Sequence, residues 1–116
     1  MTGKEAVTML VESFPFLRER VDSDADLYET PHVTFGLLAA EALENPHDEQ
    51  LLRDVCAFID KLANSGDELL EELLVVDILE GLAQDPALAI RVGSCISPKA
   101  AEFLTKVERE FFGRSR

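Results

Sequence analysis

The sequence predicts an all-α fold, an irregular bundle or compact stack of six to seven short antiparallel helices in one domain over residues 1–116. Three observations carry this. Helix-start signatures recur along the chain, as Ser, Thr or Asn followed by Pro or by a glutamate three residues on. Between them, apolar residues return at about 3.6-residue spacing. No run combines period-two alternation with hairpin turn pairs such as Asn-Gly or Asp-Gly, so nothing supports a sheet.

The elements follow in order. Thr2 with Glu5 opens a first helix carrying Ala6, Val7, Met9, Leu10 and Phe14, and Pro15 begins a second through Phe16, Leu17 and Val21. Asp22 to Glu29 reads as a loop. Thr30 and Pro31 start a third helix with Val33, Leu37, Leu38, Ala40 and Leu43 on its buried side; Asn45 and Pro46 stop it and cap the next. The fourth is the clearest amphipath, with Leu51, Leu52, Val55, Cys56, Ile59, Leu62 and Ala63 on one stripe. Ser65 and Glu68 form a capping box for a fifth, whose first turns crowd Asp67, Glu68, Glu71 and Glu72 at the positive end of the helix dipole. From Leu73 to Leu82 that helix is apolar nearly all round, which marks it as central. Asp85 and Pro86 break it, Ala87 to Val92 form a short helix, and Ser97 with Pro98 begins the last, through Ala101, Phe103, Leu104, Val107 and Phe111.

A chain of 116 residues buries about two-thirds of its unfolded surface, enough for one core. Its 47% hydrophobic content is too high for a disordered acidic tail. Apolar runs such as Leu73 to Val76 are far short of the ~20 residues that span a bilayer, and acidic Glu5 replaces the basic start of a signal peptide. A cytoplasmic protein is expected. Cys56 and Cys95 form no CxxC pair and Cys56 lies on an apolar stripe, so reduced thiols are expected.

Charge is the most uneven property of the chain. Between Arg20 and Arg53, and between Lys61 and Arg91, there is no Lys or Arg, yet these gaps hold fifteen of the twenty-three acids behind the net charge of −12. Lys99, Lys106, Arg109, Arg114 and Arg116 make a mildly positive tail. Such a field repels nucleic acid and anionic membrane and steers a basic partner inward. Segregated acids also repel one another, a cost that a basic ligand surface relieves.

Other constellations are thinner. Asp22, Asp24 and Asp26 have the spacing of the first EF-hand ligands, but Leu27 and Val33 stand where that loop needs Gly and Glu, so the run reads as a solvated acidic loop. His32 and His47 have no zinc-site companions, and no metal or cofactor is expected. Asp77 interrupts the apolar half of the fifth helix and requires a partner, for which Arg53, Arg91 and His32 are candidates. Glu71 and Glu72 point about 100° apart on a helix and do not converge on one bond, so no catalytic residues are assigned.

The segments FPFLRERV at Phe14 to Val21, PHVTFGLLA at Pro31 to Ala39 and FIDKLANSGDELLEELLVVDILEGL at Phe58 to Leu82 carry a resemblance. The chain resembles an uncharacterised family of small acidic helical bacterial proteins, often proposed as immunity proteins of polymorphic toxin systems. The resemblance implies a protein that binds one cognate toxin and blocks its active site or substrate entrance. It supplies no site pattern, and the stretch from Asp85 onward lies outside it.

Charge and exposure alone nominate the contact residues: Asp24, Asp26, Glu29, Asp67, Glu68, Glu71 and Glu72. The expected partner is a toxin protein with a basic surface, with no direct nucleic acid and no membrane, and oligomeric state is left open. Two other functions compete. A scaffold or regulatory module would bind a peptide or itself through an apolar patch of Phe103, Phe111 and Phe112, although the same residues equally suit docking of the last helix on the core. An enzyme would use His32, a cysteine or paired acids, and is the least supported.

Overall fold

Helix α1 spans Gly3–Ser13 in a computed structural model that describes residues 1–21 and 23–114, with Asp24 described in its backbone alone. Asp22 and Arg116, named above, lie outside the described residues. The expected capping box opens α1: Thr2 Oγ1 accepts from Glu5 N–H at 3.1 Å and Glu5 Oε1 accepts from Thr2 N–H at 3.0 Å. The Thr2 backbone N–H most, and then the Thr2 side chain, hold the Glu5 carboxyl below its ordinary pKa. Pro15 then starts a short 3₁₀ segment, Pro15–Arg20.

The expected loop at residues 22–29 is in part a helix. Helix α2 spans Asp24–Glu29, with Ser23 Oγ accepting from Asp26 N–H at 3.4 Å, and its anchor is the fully buried Leu27. One fully buried residue on a six-residue helix sets up no visible periodicity, which is why the acids suggested a loop.

Helix α3, Pro31–Glu44, turns a different face inward from the one expected. It buries Thr34, Phe35, Leu38, Ala39 and Ala42, while Val33 and Ala40 are exposed. The helix is apolar on most sides, so pattern alone could not select the stripe. The Thr34 hydroxyl donates to the Leu27 carbonyl at 2.7 Å and ties the end of α2 to α3.

Helix α4, Glu49–Ala63, buries Val55, Cys56, Phe58, Ile59, Leu62 and Ala63 as its periodicity predicts. Its cap is Asp48, accepting from Leu51 N–H at 3.0 Å, rather than Asn45. Phe58 meets Phe14 edge-on at 5.4 Å and Phe35 at 6.2 Å, joining α1, α3 and α4 in one aromatic contact.

Helix α5 covers residues 68–82 without a break, as α-helix Glu68–Leu73, a π-helical turn Leu74–Leu79 and a closing turn Glu80–Leu82. Within the π turn, Glu80 N–H reaches back five residues to the Val75 carbonyl. As expected of a central helix, α5 packs on α3, α4 and the last helix, burying Leu70, Leu73, Leu74, Ile78, Leu79 and Leu82. The contacts of α3 with α5 advance from His32–Asp77 to Ala39–Gly81, so these two run in the same sense with α4 between them in sequence. At Gly81 a Cβ would stand 2.8 Å from that of Ala39, so glycine permits the close approach.

Asp85 caps α6, Pro86–Gly93, and Ser97 caps α7, Pro98–Phe112, each with Pro at the first helical position. Gly113 ends α7 at φ 62°, with Arg114 N–H bonded to the Glu108 carbonyl at 2.9 Å. Ala100, Leu104 and Val107 dock α7 on the core and Phe103 packs against it, but Phe111 stays exposed. The Arg114 guanidinium donates to the Ala83 carbonyl and lies 4.7 Å from the Phe112 ring centre. The fold is all-α: among the described residues there is no strand.

The cysteines depart from expectation. Cys56 is buried on its stripe, but the turn between α6 and α7 carries Cys95 across it, and the two form a disulfide with Cα atoms 6.2 Å apart. A separation of 39 residues gave no local signal of the meeting. Asp60, one turn further along α4, and Asn64, which caps its C-terminus, hold the same connection: Asp60 Oδ1 accepts from Ser97 N–H at 2.6 Å, and Asn64 Nδ2 donates to Ser97 Oγ at 3.3 Å.

Candidate protein-interaction face

The start of α3 sets His32, three residues after the last residue of α2, against acids of α5. Glu29 ends α2 and His32 is the second residue of α3. His32 Nε2 lies 3.4 Å from Glu72 Oε2, and His32 Nδ1 lies 2.6 Å from Asp77 Oδ2. Pro31 abuts Gly3, where a Cβ would stand 2.8 Å from the ring, and the Met1 ammonium donates to Asp67 Oδ2 at 3.0 Å. The segment from Met1 to Gly3 thus spans from the first turn of α5 to the first turn of α3 and closes one edge of the face.

His32 is the partner that Asp77 requires, out of the three considered. The Asp77 side chain is only 13% exposed, and burial raises its pKa above the ordinary carboxyl value, against the lowering effect of the His32 bond. Glu72 and Glu80 raise it further. Asp67 shifts the other way, lowered first by the Leu70 N–H it caps at 3.0 Å and then by the Met1 ammonium. That ammonium is raised in turn by Asp67.

The nominated residues divide by what they already hold. Asp26, Glu29 and Glu68 are exposed. Glu72 is exposed with one oxygen toward His32, and Glu71 is half-buried. Asp67 is the α5 cap, a role expected of Ser65, whose hydroxyl instead accepts from Asp67 N–H at 3.1 Å. The side chain of Asp24 lies outside the described residues.

Two residues that sequence reasoning had placed in the interior belong to this face. Val33 follows His32 and is 60% exposed; Val76 precedes Asp77 and is 46% exposed. They border the His32–Asp77 contact with aliphatic surface among carboxylates, the mixed composition of a protein-binding patch. Their signal in the sequence was only that each neighbours a polar residue on an otherwise apolar helix.

His32 faces Asp77 and Glu72, while the sulfurs of Cys56 and Cys95 are bonded to each other. Among the described residues, no group of three or more His, Cys, Asp or Glu is disposed to hold a metal ion, and no helix is long and apolar enough to cross a membrane.

A family described as a domain of unknown function, DUF7674, matches residues 7–112. The chain belongs to this family. Its span takes in α6 and α7 as well as the stretch that carried the resemblance. No curated protein and no solved structure matches the chain.

Proposed function

We propose that this protein is an immunity-type inhibitor: it binds a cognate bacterial toxin through the acidic face of α2, α3 and α5 and occludes the toxin's active site. The observation that carries this reading is the contact of His32 with Glu72, forty residues apart in sequence, which sets the acids of α5 against the start of α3, three residues after Glu29. Asp26, Glu29, Glu68 and Glu72 offer acceptors to Arg and Lys of a basic cleft, in charge-assisted bonds. Val33 and Val76 supply the apolar contact that charge alone lacks. Binding rather than turnover is its role, and the cytoplasm of a toxin-producing bacterium is its place of action.

The test is co-purification with basic toxin-like domains encoded beside it, followed by calorimetry at low and high salt. A one-to-one complex is expected, with association that weakens steeply as salt rises. Reversal of Glu68 and Glu72 to Lys should weaken it by about tenfold or more. Unchanged affinity in that double variant would overturn the reading. So would recovery of self-association alone through the exposed Phe111 and Ile90, which would assign the scaffold function.

A further inference from the structure

Cys95 stands in a setting opposite in sign to the rest of the molecule. It lines a surface cleft of about 280 Å³ together with Glu49, Leu52, Arg53, Arg91 and Ser94. Two arginines against one glutamate make this cleft locally cationic, on a chain whose net charge is −12. Arg91 is held there by donation to the Pro46 carbonyl, and Arg53 projects from the exposed side of α4. Cys95 is exposed while its disulfide partner Cys56 is 3% exposed, so only the Cys95 sulfur is open to attack.

We propose that Cys95 is a thiol-exchange site for small anionic thiols. The incoming thiolate attacks Cys95 Sγ, forming a mixed disulfide there and breaking the bond to Cys56, which leaves as a thiolate and takes a proton from water. A second thiolate attacking the outer sulfur of the mixed disulfide releases a low-molecular-weight disulfide and leaves both cysteines reduced, so electrons balance without another reagent. Arg53 and Arg91 recruit the anionic thiol and stabilise the charge it brings. The fold survives the opening, because Asp60 and Asn64 keep the α6–α7 connection on α4 when the sulfur link is gone.

Rates with different thiols decide between the cleft and the global field. The oxidised full chain is treated with glutathione, neutral 2-mercaptoethanol and cationic cysteamine, each normalised to its thiolate concentration, and adducts are located by peptide mass spectrometry. The local cleft predicts adducts on Cys95 and a rate for glutathione about threefold or more above that for cysteamine. Arg53→Gln should abolish that preference, whereas Lys61→Gln, elsewhere on α4, should leave it unchanged. A faster reaction with cysteamine, the order the net charge alone dictates, would overturn the proposal. Adducts on Cys56, or thiols that stay free in an oxidising buffer, would do the same.

Discussion

His32 Nδ1 and Asp77 Oδ2 lie 2.6 Å apart, joining the first turn of α3 to the π turn of α5 across 45 residues of sequence. The contact is unequal, since His32 is half exposed and Asp77 nearly buried, so the carboxylate carries the desolvation penalty.

That penalty has a definite sign with pH. A carboxyl whose pKa is raised in the fold holds its proton more firmly there than in the unfolded chain, so its contribution to stability falls as pH rises from the unfolded value of 3.8 through the raised one. Asp77→Asn removes this dependence. The stability of the variant minus that of the parent should therefore increase across this window, measured by chemical denaturation below and above it. A difference that stays flat or declines with pH would show that the His32 bond outweighs desolvation.

Two helical glycines make opposite predictions. At Gly81 the added Cβ of Ala would meet that of Ala39 at 2.8 Å, and neither helix has a flexible side-chain end there to yield. Gly81→Ala should destabilise by about 1–3 kcal/mol, overcoming the helix-propensity gain. At Gly36 an added Cβ meets nothing within 4 Å, so Gly36→Ala should stabilise by up to about 1 kcal/mol. Urea denaturation of both variants checks the pair.

Where a residue's role was local, it was legible. Thr2 with Glu5, Asp85 with Pro86 and Ser97 with Pro98 each start helices where the sequence places them, because a cap is decided within one turn. Ser65 misled since Gly66, at φ 70°, turns the chain between it and the helix, and Asp67 becomes the cap. Val33 was misplaced because an apolar helix gives no preferred face. The Cys56–Cys95 bond and the His32–Asp77 contact depend on tertiary approach, which no spacing encodes. The acidic stretches were visible, but the contact of His32 with Glu72 was not.

Thr34 carries a small, separable part of the fold. Its buried hydroxyl donates to the Leu27 carbonyl at the end of α2, so Thr34→Val keeps the shape and removes that bond. A loss of about 1–3 kcal/mol is expected. Hydrogen exchange should show the extra opening concentrated in α2, and Thr34→Ser, which retains the hydroxyl, should recover most of it. Uniform loss of protection across α3 and α5 would mean that replacing the hydroxyl with a methyl acts on the core instead.

Val33 and Val76 separate binding from folding. Both are exposed, so Val33→Asp and Val76→Asp should change stability by no more than about 0.5 kcal/mol. Each also adds a carboxylate to the face, which by charge alone should strengthen attraction to a basic partner. If the valines are the apolar centre of the interface, burying the new carboxylate without a matched cation weakens the complex instead, by about tenfold or more. The expected result is a weaker complex with unchanged thermal stability and an association rate that does not fall, the loss residing in dissociation. Tighter binding by either variant would remove Val33 and Val76 from the interface and leave the carboxylates as its whole basis.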